Sequence, residues 1–156
     1  MLRPMVIAAV LVTAPLFPVV AQTASRVPQA MTDDAVIVRE RAVWDALARN
    51  DSIKALALIG ADVPFVIFRA AGASVTTTTE VVRSITSRCT TTRSQLDSLR
   101  VVRPSAAVTI LAYRSELSRD CGTRPFTNVN HVETVWAVRD GRWVAVGQNF
   151  AEVKAP

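Results

Sequence analysis

Four runs of alternating apolar and polar residues fill the C-terminal half of the chain, and they restrict the fold more than any other feature. They cover residues 94–103, 106–118, 126–139 and 142–153. Period-two alternation predicts strands that are buried on one face only. The last two runs are separated by Asp140-Gly141, a pair that favours the tight turn of a β-hairpin. We therefore predict an antiparallel meander of four strands.

The preceding part of the chain has the three-to-four spacing of helices. Thr32 is a predicted N-cap, and the helix that follows it has Trp44 on its inner face. The elements predicted before the meander are helices over 33–49 and 51–59, a strand over 63–69 and a third helix that starts with the capping-box spacing of Thr77 and Glu80. Helices first and strands last predict an α+β domain, in which three N-terminal helices pack on a curved antiparallel sheet.

The first 21 residues have the features of a removable signal peptide. Arg3 gives a positive start, residues 5–17 carry no charge, and Val19-Val20-Ala21 offers small residues for cleavage. A membrane anchor is the alternative, but the apolar run is short and prolines interrupt it. The predicted organisation is a signal peptide over 1–21, a flexible lead-in over 22–31 and one domain over 32–156. The domain is then exported, either periplasmic or secreted, and has no membrane segment.

Cys89 and Cys121 are the two cysteines of the chain. An even number in an exported chain favours a disulfide. If the turn near residues 103–106 sets the hairpin register, opposite positions sum to 209–210, and the two cysteine numbers sum to 210. The sequence therefore predicts a bridge between neighbouring strands. Two buried free thiols are the alternative.

Composition argues against several classes of function. The net charge is +5, but the arginines are scattered and form no basic face, so we expect no nucleic-acid partner. One histidine and two paired cysteines are too few for a metal site. The five glycines form no phosphate-binding loop, and we expect no cofactor. No Gly-x-Ser-x-Gly segment is present for a serine nucleophile.

Alternate positions of the predicted strands divide into an apolar and a polar face, and we assign the apolar face to the helix side. The polar residues of this face either pair with each other or contact a ligand. In the second case they line a pocket, whose predicted residues are Trp44, Tyr113, Asn130, Thr134 and Asn149. The alternatives are plain core packing for the tryptophans and a solvent-directed hydroxyl for Tyr113.

Three further residues are candidates for acid–base chemistry. His131 is the one histidine, and Glu133 follows two positions later on the same strand face. That face is the polar one, so it faces either solvent or a dimer partner. Asp62 follows the second helix and is the third candidate, with the capping of a turn as its alternative role.

Two segments resemble a known family. Glu40-Arg41-Ala42-Val43-Trp44-Asp45-Ala46-Leu47 is similar to the opening helical hairpin of SnoaL-like and DUF4440 domains, and residues 135–143 closely resemble their final hairpin. These domains belong to the NTF2-like superfamily. The resemblance implies a cone, in which a bent sheet wraps round helices, encloses a pocket at its wide end and often dimerises through the sheet. Many relatives have a histidine shortly after the final tryptophan, where this chain has Gly147-Gln148-Asn149.

The family includes isomerases, dehydratases, cyclases and binding domains, so the resemblance implies a pocket without naming a reaction. We expect an exported domain that binds a small apolar or partly polar molecule. The alternatives are a proton-transfer enzyme of the isomerase or dehydratase type, and a protein-interaction module that forms a homodimer. Whether the domain is an enzyme stays open, and the residues favour binding.

Overall fold

The computed structural model describes residues 29–87, 89–122 and 125–153. Its elements, in chain order, are α1 (Asp33–Ala48), α2 (Ser52–Ile59), β1 (Pro64–Arg69), β2 (Gly72–Thr77), α3 (Thr78–Thr86), β3 (Thr90–Ser105), β4 (Val108–Asp120), β5 (Pro125–Arg139) and β6 (Arg142–Glu152). The predicted signal peptide lies outside the described residues. Among the described helices, none has the length and apolar character needed to cross a membrane.

The three helices begin at the residues that the sequence predicts. The hydroxyl of Thr32 accepts a hydrogen bond from the backbone N–H of Ala35 at 3.2 Å, and Asp51 caps α2 in the same way. Thr77 and Glu80 form a reciprocal capping box at the start of α3. These caps satisfy backbone N–H groups that have no partner within the helix. The N-terminal boundaries of the helices are therefore set by local chemistry.

The sheet has six strands in the order β2-β1-β6-β5-β4-β3. The predicted meander of β3 to β6 is present, but the prediction of a wholly antiparallel sheet is wrong because β1 runs parallel to β6. Val66 lies opposite Gly147, and a Cβ atom on that glycine would lie only 3.1 Å from the backbone oxygen of Val66. Gly147 thus permits the close approach of β1. Strand β2 is not predicted either, since the two alanines of the β1–β2 turn give no turn signal.

The bridge between Cys89 and Cys121 is confirmed, with an S–S distance of 2.03 Å. The predicted turn position is wrong, however, because Ser105 pairs with Val108 and the numbers of this pair sum to 213. Three register shifts along β3 reduce that sum to 210 by the end of the hairpin, where Thr90 pairs with Asp120. The cysteines follow directly beyond this pair. The bridge therefore forms because β-bulges compensate for the different turn.

The core lies between α1 and the concave face of the meander. Trp44 and Val36 from the helix meet Leu111 and Trp136 from the sheet, and these four side chains are almost fully buried. The lead-in also makes contacts, since Gln29 accepts a hydrogen bond from the Trp143 indole through its backbone oxygen. α1 thus lies along the centre of the cone and brings its inner face to the site described below.

We expect the double variant Cys89→Ser/Cys121→Ser to fold but to lose stability. The bridge closes a separation of 32 residues. A loop of that size corresponds to roughly 3–4 kcal/mol in the chain-entropy description of disulfides. Chemical denaturation of the variant and of the oxidised protein measures the difference in unfolding free energy. A loss below about 1 kcal/mol would contradict this expectation.

Candidate functional site

A buried carboxyl group lies at the centre of the cone. Glu40 is only 1% exposed, and it lies one helical turn before Trp44 on the inner face of α1. Its Oε1 atom accepts hydrogen bonds from Trp44 Nε1 at 3.1 Å, from the Tyr113 hydroxyl at 2.7 Å and from Thr134 Oγ1 at 2.9 Å. Its Oε2 atom accepts one from Trp136 Nε1 at 2.9 Å. Four side-chain donors therefore converge on one carboxyl group.

Strand register brings these donors together. Thr134 and Trp136 are two residues apart on β5, so both project from its inner face towards α1. Tyr113 lies on the neighbouring strand β4, opposite Val132. The predicted pocket residues Trp44, Tyr113 and Thr134 are thus brought together in the interior, all buried. Their predicted role in binding a ligand stays a prediction.

Gln148 takes the inward position that the sequence analysis gave to Asn149. Its Nε2 atom donates to the Tyr113 hydroxyl at 3.2 Å and to Thr134 Oγ1 at 2.9 Å. Asn149 is exposed on the outer face, so its predicted place in the pocket is wrong. The cause is a register shift in the β5–β6 pairing, which leaves Val146 as an extra residue on β6. One extra residue exchanges the faces of every position that follows it.

The other predicted site residues do not join this cluster. Asn130 is half-buried on the inner face of β5, further along the strand, opposite Ser115. His131 and Glu133 are exposed on the outer face, where Glu133 accepts a hydrogen bond from Asn149 Nδ2 at 3.4 Å. The prediction that these two lie on the polar face, away from the helices, agrees with the structure. They have no contact with the interior.

Asp62 lies in the turn that follows α2. It is exposed and has a positive φ of 54°, a conformation that aspartate tolerates in turns. Its backbone N–H donates to the hydroxyl of Thr79. The residue therefore belongs to the connection between α2 and β1, and the carboxyl group in the cone interior is that of Glu40.

Burial and hydrogen bonding act against each other on this carboxyl group. Burial raises the pKa of Glu40, and the hydrogen bonds from Tyr113, Thr134, Trp136 and Trp44 oppose that rise. The pKa of Tyr113 is raised well above its ordinary value, first by burial and then by the negative charge of Glu40. Tyr113 thus stays protonated and donates a hydrogen bond to the Glu40 carboxyl group. The site therefore combines a carboxyl group with a raised pKa and a hydroxyl group that stays protonated.

A small cavity of about 40 Å³ adjoins Glu40. Thr134 and Gln148 supply the other polar atoms of its wall, and the rest is apolar. The apolar lining comes from Val43, Trp44, Leu47, Ile59, Phe65, Val81, Val82, Ile85 and Ala145. A water molecule occupies about 30 Å³ in the liquid, whereas pockets for drug-sized ligands span about 300–1,000 Å³. The interior that the resemblance predicts as a pocket is therefore almost filled.

Glu40, Trp136 and Gln148 are the residues of the site that were not predicted as site residues. The sequence does indicate that Glu40 lies on the inner helix face, because it precedes Trp44 at a spacing of four. A charged residue on the buried face of a helix needs a partner in the core. No sequence pattern indicates the inward orientation of Gln148, because it depends on the bulge at Val146. Within the described residues, no group of three or more His, Cys, Asp or Glu side chains lies close enough to hold a metal ion.

No protein-family model matches the sequence, and a search of curated proteins finds no match. Solved structures do match. An NTF2-like protein from Cytophaga hutchinsonii superposes with a TM-score of 0.65 at 16% identity, over 79% of this chain and 99% of that one. A CaMKII hub from S. rosetta gives 0.60 at 14% identity, over 80% and 98%. A ketosteroid isomerase-like protein from Erwinia carotovora atroseptica gives 0.58 at 14% identity, over 77% and 95%.

At these identities the likeness concerns the fold. The chain has an NTF2-like fold, as the resemblance in its first and last segments implies. The narrower SnoaL-like or DUF4440 assignment stays a prediction.

The effect of Glu40 on stability should depend on pH in a defined direction. A pKa raised in the folded state gives a contribution that is fully present below the ordinary glutamate pKa and is lost as pH rises through the folded pKa. We expect the unfolding free energy of the native protein, relative to Glu40→Gln, to fall as the pH rises above the ordinary glutamate pKa of about 4. Chemical denaturation across this range measures it, with the exposed Glu133→Gln as the control. A difference that rises with pH would show the opposite sign.

Proposed function

We propose that this domain binds a small, largely apolar molecule that carries one hydrogen-bond donor, in the interior of the cone beside Glu40. The observation that carries the proposal is the buried carboxyl group beside an apolar-lined cavity. Ligand sites typically combine apolar walls with a few convergent polar groups. Glu40, Thr134 and Gln148 supply such groups in one corner, and apolar side chains from five elements supply the walls.

The polar corner favours a ligand that donates a hydrogen bond. Glu40 offers acceptor oxygens, and the Nε2 atom of Gln148 is already used by the two hydroxyl groups of Tyr113 and Thr134. Gln148 Oε1 takes part in none of the hydrogen bonds among the described residues, so it remains an acceptor at the cavity wall. An alcohol or an amine on an apolar body fits this arrangement best.

Access to the cavity runs past α3. This short helix covers the cavity with Val81, Val82 and Ile85, and it packs chiefly on α2 rather than on the meander. A ligand larger than water can enter only when α3 moves outwards. The apolar side chains of α3 that now line the cavity would then contact the ligand. The Cys89 bridge holds the chain shortly after α3, so the movement occurs at the helix and leaves the hairpin in place.

Proton transfer is a second candidate, and the raised pKa of Glu40 favours it. Among the described residues of the interior, Glu40 is the carboxyl group that touches the cavity, and a general base works best when its pKa lies near the working pH. A ligand bound at the Gln148 corner would present a proton to Glu40, with Tyr113 held nearby as a donor. The structural neighbour from Erwinia carotovora atroseptica, 14% identical, is described as ketosteroid isomerase-like, and this description suggests a class of substrate to test.

Export belongs to the same proposal. The Cys89–Cys121 bridge suits an oxidising compartment, and the N-terminal segment has the pattern of a signal peptide. N-terminal sequencing of the secreted protein should begin at or near Gln22. Retention of Met1 on the folded protein would contradict cleavage.

Fragment binding measured by NMR tests the site directly. We expect apolar alcohols and amines to shift the indole N–H signals of Trp44 and Trp136, because both indoles bind Glu40 beside the cavity. Gln148→Leu should weaken this binding about tenfold, the value of roughly one lost hydrogen bond. Asn149→Leu is the matched control, since the neighbouring side chain lies outside, and it should bind as the native protein does. Equal loss in both variants would contradict the assignment.

Measurement of turnover distinguishes the two candidate functions, ligand binding and proton transfer. If Glu40 transfers a proton, Glu40→Gln should reduce the isomerisation of a bound ketone by about 100-fold or more, while the indole shifts on binding persist. Binding without turnover in the native protein would leave the binding function and remove the enzymatic one.

A further inference from the structure

The two edge strands of the sheet differ in their protection. β3 carries three register shifts, Pro104 and several arginines, which are features that block further pairing. β2 reads Gly-Ala-Ser-Val-Thr-Thr, pairs with β1 over all six residues without a register shift, and has neither charge nor proline. Its first four residues are exposed. β2 is therefore an open strand edge that can accept another strand.

The hairpin register identifies the free backbone groups. Arg69 pairs with Gly72 across a two-residue turn, so these two residues exchange hydrogen bonds and the pairs alternate from there. The N–H and C=O groups of Ala73 and Val75 consequently point away from β1. At the next such position, Thr77, the N–H already donates to Glu80 Oε2 at 3.1 Å. The usable edge thus comprises the backbone groups of Ala73 and Val75.

We propose that β2 pairs with β2 of a second copy of this chain, antiparallel and about a two-fold axis at Ser74, so that two six-stranded sheets become continuous. Ala73 of each copy lies opposite Val75 of the other, and these two pairs exchange four backbone hydrogen bonds. The alternative register, centred on Val75, would need the N–H of Thr77, which the capping box uses. The available backbone groups therefore select a single register.

Apolar side chains next to the edge favour this arrangement. Val75 is 77% exposed and Phe68 is 51% exposed, although both lie on the same face of the β1–β2 hairpin. In the proposed pairing, the row of Val66 and Val75 continues into Ala73 and Phe68 of the second copy. Each copy contributes the same four side chains, so Val75 and Phe68 of both copies lie in the contact.

Charge complementarity identifies the occupant as a second copy. Arg69 is exposed and forms no ion pair within the described residues, and a Cβ atom on its neighbour Gly72 would have nothing within 4 Å. Gly72 lies opposite Thr76 of the second copy, whose hydroxyl binds Glu80 Oε2. The Arg69 side chain can cross the empty glycine position towards the free Oε1 of that Glu80, over about 10 Å of two strand spacings. The two-fold axis repeats the ion pair.

Cysteine cross-linking tests the register. In Ser74→Cys the two introduced thiols face each other with Cβ atoms about 4.5–5.5 Å apart, whereas in Thr76→Cys they lie about 13 Å apart along the strands. Mild oxidation should therefore cross-link Ser74→Cys at least about tenfold faster than Thr76→Cys. Peptide mapping of the unreduced products shows whether the native Cys89–Cys121 bridge is kept. Equal rates, or faster cross-linking of Val75→Cys, would overturn the proposed register.

Sedimentation equilibrium tests the surface itself. The native protein should form a dimer, and Val75→Lys should raise its dissociation constant at least about tenfold by placing charge on the edge. Ala73→Pro should do the same by removing a free N–H group that β1 does not use. Val102→Lys, 56% exposed on the far edge strand, is the matched control and should remain dimeric. A monomeric native protein, or dissociation by Val102→Lys alone, would overturn the proposal, the latter in favour of the sheet face.

Discussion

The Glu40 carboxyl group is the interaction on which the interior depends. An ionised group that is removed from water without partners costs several kcal/mol, so the fold must supply donors where this one lies. Trp44 supplies one from the same helix, and the other direct donors come from β4 and β5. Gln148 extends the network to β6. Rotation of α1 or a slip of either strand would leave the carboxylate unsatisfied, so this one group fixes the helix against three strands.

The features that the sequence predicts are those set by neighbouring residues. The caps at Thr32, Asp51 and Thr77 and the alternation of the meander strands depend on contacts within a few positions. The disulfide was predicted from a register that the bulges of β3 later restore, so the prediction holds although the turn lies elsewhere. The parallel pairing of β1 depends on tertiary packing around Gly147, and no local pattern reports it.

The site was predictable in part for the same reason. Trp44, Tyr113 and Thr134 follow from strict alternation and helical spacing, and the structure places them around one carboxyl group. Gln148 and Asn149 exchange faces because of a bulge that no residue type in β6 announces. A nearly filled interior with a polar corner then agrees with a binding function that requires α3 to move. The same corner supplies the chemistry that proton transfer would need.

The bulge at Val146 also bears on how such an interior changes over generations. With the bulge kept, deletion of the single residue Gln148 would bring Asn149 opposite Thr134 on the inner face in its place. The amide would then sit on a shorter side chain, further from Tyr113 and Thr134, and the cavity would gain the difference in volume. A single codon lost or gained in one strand can thus alter the polarity and size of the chamber without any substitution in its lining. Length variation in β6 is therefore a route by which domains of this fold could acquire new ligands.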